Sequence, residues 1–182
     1  STERGLELAQ ASINRFPELF EKAYNEGARK KLGLLQTAEG DVALMTDLLS
    51  AMADHEADFT LVFRGLSNLG NESGPADDAG RALFKDPSAF DQWAKRWRSR
   101  LASQSGEERL RQQEMKAVNP AYIPRNHRVE EAIRAAEDEA DFAPFERLHQ
   151  ILSRPFDDQP QAREYQRPPR PEEIVHATFC GT

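Results

Sequence analysis

The chain has 182 residues, 38% of them hydrophobic and 30% charged, with a net charge of -7 at neutral pH. That length holds one large or two small domains with a real core, and the acidic balance argues against nucleic acid as a partner. No run reaches the roughly 20 apolar residues of a membrane-spanning helix, which excludes helical membrane insertion, and no membrane partner is expected; the single cysteine, Cys180, cannot staple a fold and points to the cytoplasm.

From the amino end, Leu6, Ala9, Ile13 and Phe16 recur at helical spacing. Pro17 predicts a break or kink, with a second helix through Phe20, Ala23 and Tyr24 to about Lys31. Gly33 and Gly40 bracket a turn, and Asp41 is placed to cap a helix striped by Leu44, Met45, Leu48, Leu49 and Met52. Asp58 is placed to cap the next, lined by Phe59, Val62, Phe63, Leu66 and Leu69, before a Gly/Asn/Ser/Pro cluster opens a flexible loop over residues 70–86, a possible internal boundary. Asp86-Pro87 reads as N-cap and N1 of a long helix to about Ser103, with Phe90, Trp93, Ala94, Trp97 and Leu101 inward.

Ser105 with Glu108 has the spacing of a capping box for a helix carrying Leu110 and Met115, which stops before Asn119-Pro120. Val129, Ala132, Ile133 and Ala136 mark another helix, and Phe145, Leu148 and Leu152 the last. Beyond Pro155 the helical pattern ends: Pro160, Pro168, Pro169 and Pro171 impose extended or polyproline geometry, and residues 174–179 are the one strand-like run. The expectation is an all-α, irregular multi-helix bundle over residues 1–155 and an extended proline-rich tail over 156–182, ending in Cys180.

Chemistry-bearing motifs are sparse. His55-Glu56 begins a zinc-protease pattern but Phe59 stands where the second ligand belongs, and His127, His149 and His176 lack ligand spacing, so no metal site is expected. Lys95, Arg96, Arg98 and Arg100 interleave with Trp97, but on a helix the cations fall on the solvent side, where they serve solubility or grip an acidic neighbour. There is no glycine-rich phosphate loop, and nothing selects a Ser/His/Asp set. Residues 119–126 hold Asn119, Tyr122, Arg125 and Asn126 between two helices, more hydrogen-bonding capacity than a connector needs. Either the loop binds something, or Asn126 caps the following helix and Tyr122 plugs the core. Cys180 is likewise open to two readings, a small residue docked under the tail or a thiol within reach of an oxidant.

The string Asn119-Pro120-x-Tyr122-Ile123-x-Arg125-Asn126, a helix with Glu131-Ala132-Ile133, and Arg154-Pro155-Phe156-Asp157 resemble the C-terminal region of the selenoprotein O (YdiU) family. Lys31-Leu32-Gly33-Leu34, Asp41 with Leu48-Leu49 and Met52, and Asp58-Phe59-Thr60 before Phe63-Arg64-x-Leu66 agree in order. Family members end with cysteine or selenocysteine third from the terminus, the position of Cys180. Gly181-Thr182 replaces the family's usual serine pair, and Pro168-Pro169 lacks the common following Trp.

The resemblance implies a pseudokinase-like protein that binds ATP and Mg and transfers AMP to Ser, Thr or Tyr of protein substrates. Its nucleotide-binding residues have no counterparts here, so this chain is expected to be a C-terminal fragment that holds no cofactor and no catalytic residue. Its expected partner is the parent's own N-terminal kinase-like domain. Cys180 becomes a redox candidate, free within this chain, while Lys31, Gly33, Asp58, Thr60, Arg64, Asn119, Pro120, Tyr122, Arg125 and Asn126 become family-motif or interdomain candidates. The competing reading is a free-standing helical interaction module using an exposed 119–126 loop and the proline-rich tail.

Overall fold

The computed structural model describes residues 2–177. Cys180 and the last part of the expected strand-like run therefore lie outside the described residues. Among those described there is helix but no strand: α1 (Thr2–Leu32), α2 (Asp41–Asp54), α3 (Phe59–Leu66), α4 (Asp77–Arg81), α5 (Pro87–Ala102), α6 (Glu108–Val118), α7 (Asn126–Glu139) and α8 (Ala143–Leu152), followed by two 3-10 segments at Pro160–Gln166 and Pro171–Glu173.

The break expected at Pro17 does not end a helix, because α1 runs through it. Proline removes one amide donor and crowds one carbonyl, and the turns on either side supply continuity. Helix α1 stops at Gly33, whose φ of +68° places it in the left-handed region. There the Gly33 amide donates to the Lys30 carbonyl at 3.2 Å and the Leu34 amide to the Arg29 carbonyl at 2.9 Å, the bonding of a Schellman turn. A side chain at Gly33 would also strike Met115, whose Sδ lies 2.6 Å from the Cβ position. The remaining C-terminal carbonyls of α1 are taken up by side chains: Asn119 Nδ2 donates to Lys31 O, Trp97 Nε1 to Leu32 O, both at 2.9 Å.

Two apolar clusters result. The larger joins α1 to α6 around Leu32, Leu48, Phe63, Leu66, Trp93, Trp97 and Met115, all essentially inaccessible. Trp93 and Trp97 stack at 5.8 Å, and Trp93 Nε1 donates to Leu44 O at 2.8 Å, so each indole buries its polar edge satisfied. In the smaller cluster, Ala121, Tyr122, Ile151 and Ala162 bring together the 119–126 loop, α8 and the tail. The tail is not simply extended: it turns twice and inserts Gln159 and Ala162.

Residues 70–86 form α4 and pack on α5. Arg98 binds Asp77 through two bonds of 3.0 and 2.7 Å, and Gly80 leaves room for the Phe90 ring. The helical cations of α5 are thus partly spent inside the chain: Arg98 on Asp77, and Arg100 on Asp41 at 2.7 and 3.2 Å. Asp41 consequently does not cap α2, where Gly40 holds that position; it accepts from the Ala38 amide and Arg100 instead. The Ser105/Glu108 box also fails to form, because the Glu108 carboxylate is turned to the Asn71 amide at 2.7 Å. The caps expected at Asp58 and Asp86 are present, accepting from Leu61 N and Ser88 N, each at 2.9 Å.

Candidate functional site

Most of the candidate residues converge on the junction between the two clusters. Asn119 ends α6 completely buried. Its amide nitrogen donates to Lys31 O at 2.9 Å and to Ser67 Oγ at 3.3 Å, while its carbonyl oxygen accepts from Lys31 Nζ at 3.2 Å. Lys31 also donates to Val118 O at 3.2 Å and sits 5.4 Å from the Phe63 ring centroid. Burial lowers the Lys31 pKa from its ordinary value.

Arg64, from the last turn of α3, crosses the same junction. One terminal nitrogen donates to Lys116 O at 3.1 Å and Asn119 O at 2.9 Å; the other reaches Phe156 O at 3.0 Å and Asp158 at 2.7 Å. This hydrogen bond from Arg64 is the main cause holding the Asp158 carboxyl below its ordinary pKa. A planar fork that satisfies three carbonyls and a carboxylate is a task for arginine that lysine's point charge does not match.

Arg125 makes the second tie, a two-point pair with Asp58 at 2.7 and 3.1 Å. Burial pushes the Asp58 carboxyl up, but the bonds from Arg125 and from the Leu61 and Thr60 amides together outweigh it, so its pKa is lowered. One carboxylate thereby caps α3 and fastens the loop before α7. Tyr122 completes the set: its hydroxyl donates to Gln159 O at 2.7 Å, and Gln159 Nε2 donates to Ile151 O and Arg154 O, both at 3.0 Å. The amides of Ala121 and Tyr122 both donate to Pro155 O.

Gly33, Thr60 and Pro120 flank this network, with Thr60 buried and Pro120 half-buried. Asn126 is exposed and does not cap α7, whose N-cap is Arg125, so the expected capping role is corrected. The side chains of Asn119, Tyr122 and Arg125 bond within the chain, while that of Asn126 stays exposed. Groups to which the sequence reading gave no site role complete the picture. Arg111 lies against Trp97 at 5.2 Å and donates to Leu69 O at 2.8 Å; Asp158 and Gln159 hold the tail; both His127 ring nitrogens are buried without a partner. Arg111 could have been found from its place one turn before Met115 on the inward face of α6.

This arrangement fastens; it activates no nucleophile. Among the described residues no three side chains of metal-binding type converge. A cavity of about 500 Å³ lies between α7 and the tail, lined by His127, Glu130, Glu131, Arg134 and residues 172–176. Three of its carboxylates are engaged, Glu130 by Arg134, Glu131 by Arg128 and Glu173 by Arg167, while Glu172 also lines it.

A family model described as "Protein adenylyltransferase SelO" matches residues 5–153. The chain belongs to the SelO family. Among curated SelO-type relatives, "Protein nucleotidyltransferase YdiU" of Bradyrhizobium diazoefficiens is 51% identical over 180 residues, covering 99% of this chain and 36% of that protein. The protein of the same name from Nitrobacter winogradskyi is 50% identical over 98% of this chain and 35% of its own length. That from Methylorubrum extorquens is 50% identical over 96% and 36%. The chain therefore spans about a third of the length of the SelO relatives it matches, and the helical side of the junction lies inside the matched region, while its tail partners from Arg154 to Gln159 follow it.

Proposed function

We propose that this chain is the helical C-terminal part of a pseudokinase-like protein that transfers AMP from ATP to Ser, Thr or Tyr hydroxyls of other proteins. The observation that carries the reading is the family match across residues 5–153 by a chain spanning about a third of its relatives. Its role is to pack on the catalytic part and present a tail. The junction supports that role, since Arg64, Tyr122 and Asp158 fasten the start of the tail to the helical body.

ATP and Mg belong to the remainder of the parent. The residues here do not fit them: the buried guanidinium groups of Arg64 and Arg125 are taken up by carbonyls and carboxylates, and the place beside Gly33 is filled by Met115. No step of AMP transfer is assigned to this chain. Cys180 is read as a redox thiol that pairs with a cysteine of the catalytic part and gates activity in the cytoplasm. The alternative of a free-standing interaction module loses its docking loop, because Asn119, Tyr122 and Arg125 are buried.

Calorimetric titration of this chain with ATP-Mg is expected to show no binding, and micromolar affinity would overturn the reading. Mass spectrometry of the oxidised longer protein is expected to find Cys180 in a disulfide. A thiol that is always free, with activity indifferent to reductant, would remove the gating role.

A further inference from the structure

From residue 4 to Tyr24 every side chain of α1 is exposed, so roughly 30 Å of helix stands clear of the bundle at 1.5 Å per residue. Along one side of it run Ile13, Phe16, Phe20 and Tyr24, between 49% and 64% exposed. Their three- and four-residue spacing makes a continuous ridge, and the rings stack in series, Phe16 on Phe20 at 5.8 Å and Phe20 on Tyr24 at 6.1 Å. By the same spacing Glu7, Arg15, Glu18 and Lys22 fall on the other side. Past Tyr24 the ridge runs onto the body at a notch of about 80 Å³, lined by Ala28, Ala38, Val42 and Met45. Val42 is itself 56% exposed.

Most helical stability in proteins comes from tertiary packing of an apolar face rather than from propensity, and an interior proline costs this helix a further ~3 kcal/mol. An ordered aromatic ridge on such a helix needs a cover. Since the chain spans 36% of the length of a relative 51% identical to it, most of the longer protein is available to supply one. A segment tethered in the same polypeptide acts at an effective concentration in the mM range, which outcompetes a second copy in dilute solution.

We propose that the Ile13/Phe16/Phe20/Tyr24 ridge is the docking face for the part of the longer SelO-family protein that this chain does not include, with an apolar side chain of that part seated in the notch beside Val42. This rests on the reading that the parent carries a separate catalytic region.

Amide hydrogen exchange over residues 13–24, compared between the longer protein and the 182-residue chain, tests it. Exchange is expected to be at least about tenfold slower in the longer protein. Phe16→Asp with Phe20→Asp should abolish that protection and leave the Tm of the 182-residue chain unchanged, while Glu18→Lys on the opposite side changes neither. If the double variant of the longer protein does not accumulate, Phe20→Ala should show the same direction. Equal exchange in both proteins would overturn the proposal, as would protection in the 182-residue chain that rises with concentration, the mark of a second copy. AMP transfer measured on the same preparations separates the two readings. Protection without transfer counts against the catalytic reading alone; transfer with an unprotected ridge counts against the docking face alone.

Discussion

The two asparagines of the 119–126 loop separate function from packing at the level of single atoms. Asn119 satisfies a helix-end carbonyl, a buried hydroxyl and a lysine ammonium at once, whereas Asn126 faces solvent. Asn119→Ala should therefore cost about 2–3 kcal/mol, because it strands Lys31 O and, as an acceptor, Ser67 Oγ, and leaves Lys31 Nζ with the Val118 carbonyl alone at a buried junction. Asn126→Ala should stay within about 0.5 kcal/mol. Urea unfolding of both variants checks this, and equal effects would mean that the loop is not a structural tie. Gly33→Ala should cost at least about 1–2 kcal/mol for the left-handed φ alone, with the Met115 contact adding to it. The sequence made Asp58, Asp86 and Gly33 readable because their partners lie within a few residues. It could not show Asp41 drawn to Arg100, or Glu108 to the Asn71 amide, since those choices are made by residues 59 and 37 positions away.

At the level of elements, the periodic segments were legible as helices, because an apolar stripe at 3.6-residue spacing is a local property of the chain. Two features were not. Proline predicted a break that α1 does not make, and Pro17→Ala is accordingly expected to slow amide exchange over residues 13–20 without moving the unfolding of the bundle, because those turns touch nothing else. Unchanged exchange would show that the proline does not weaken this helix. The tail was read as extended from its prolines, yet two 3-10 segments form because Gln159 and Ala162 find buried seats against α8 and Tyr122. Tertiary contact decided that conformation, and no window of sequence contained it.

For the whole molecule, stability should carry the signature of titratable groups that are buried, as His127 is, or bonded to arginine, as Asp58 and Asp158 are. Burial, aided by the charge of Arg128, lowers the His127 pKa below 6.5, while Glu173 opposes. In the window between that lowered value and 6.5 the unfolded chain binds more protons than the folded one, so stability falls as pH drops below 6.5. Asp58 and Asp158 act later: their lowered pKa values give stability that is present above 3.8 and lost as pH falls through the folded values. Urea midpoints at pH 7.5, 6 and 5 should decline, and His127→Leu should flatten that decline. A flat profile for the unsubstituted chain would contradict the burial of a neutral imidazole. These groups, like the Arg64 and Arg125 ties, belong to holding the molecule together, in keeping with the proposal that AMP transfer belongs to the rest of the parent. Incubation with labelled ATP, Mg and acceptor protein tests that division most directly: the longer protein should label the acceptor and the 182-residue chain should not, and labelling by the 182-residue chain alone would contradict it.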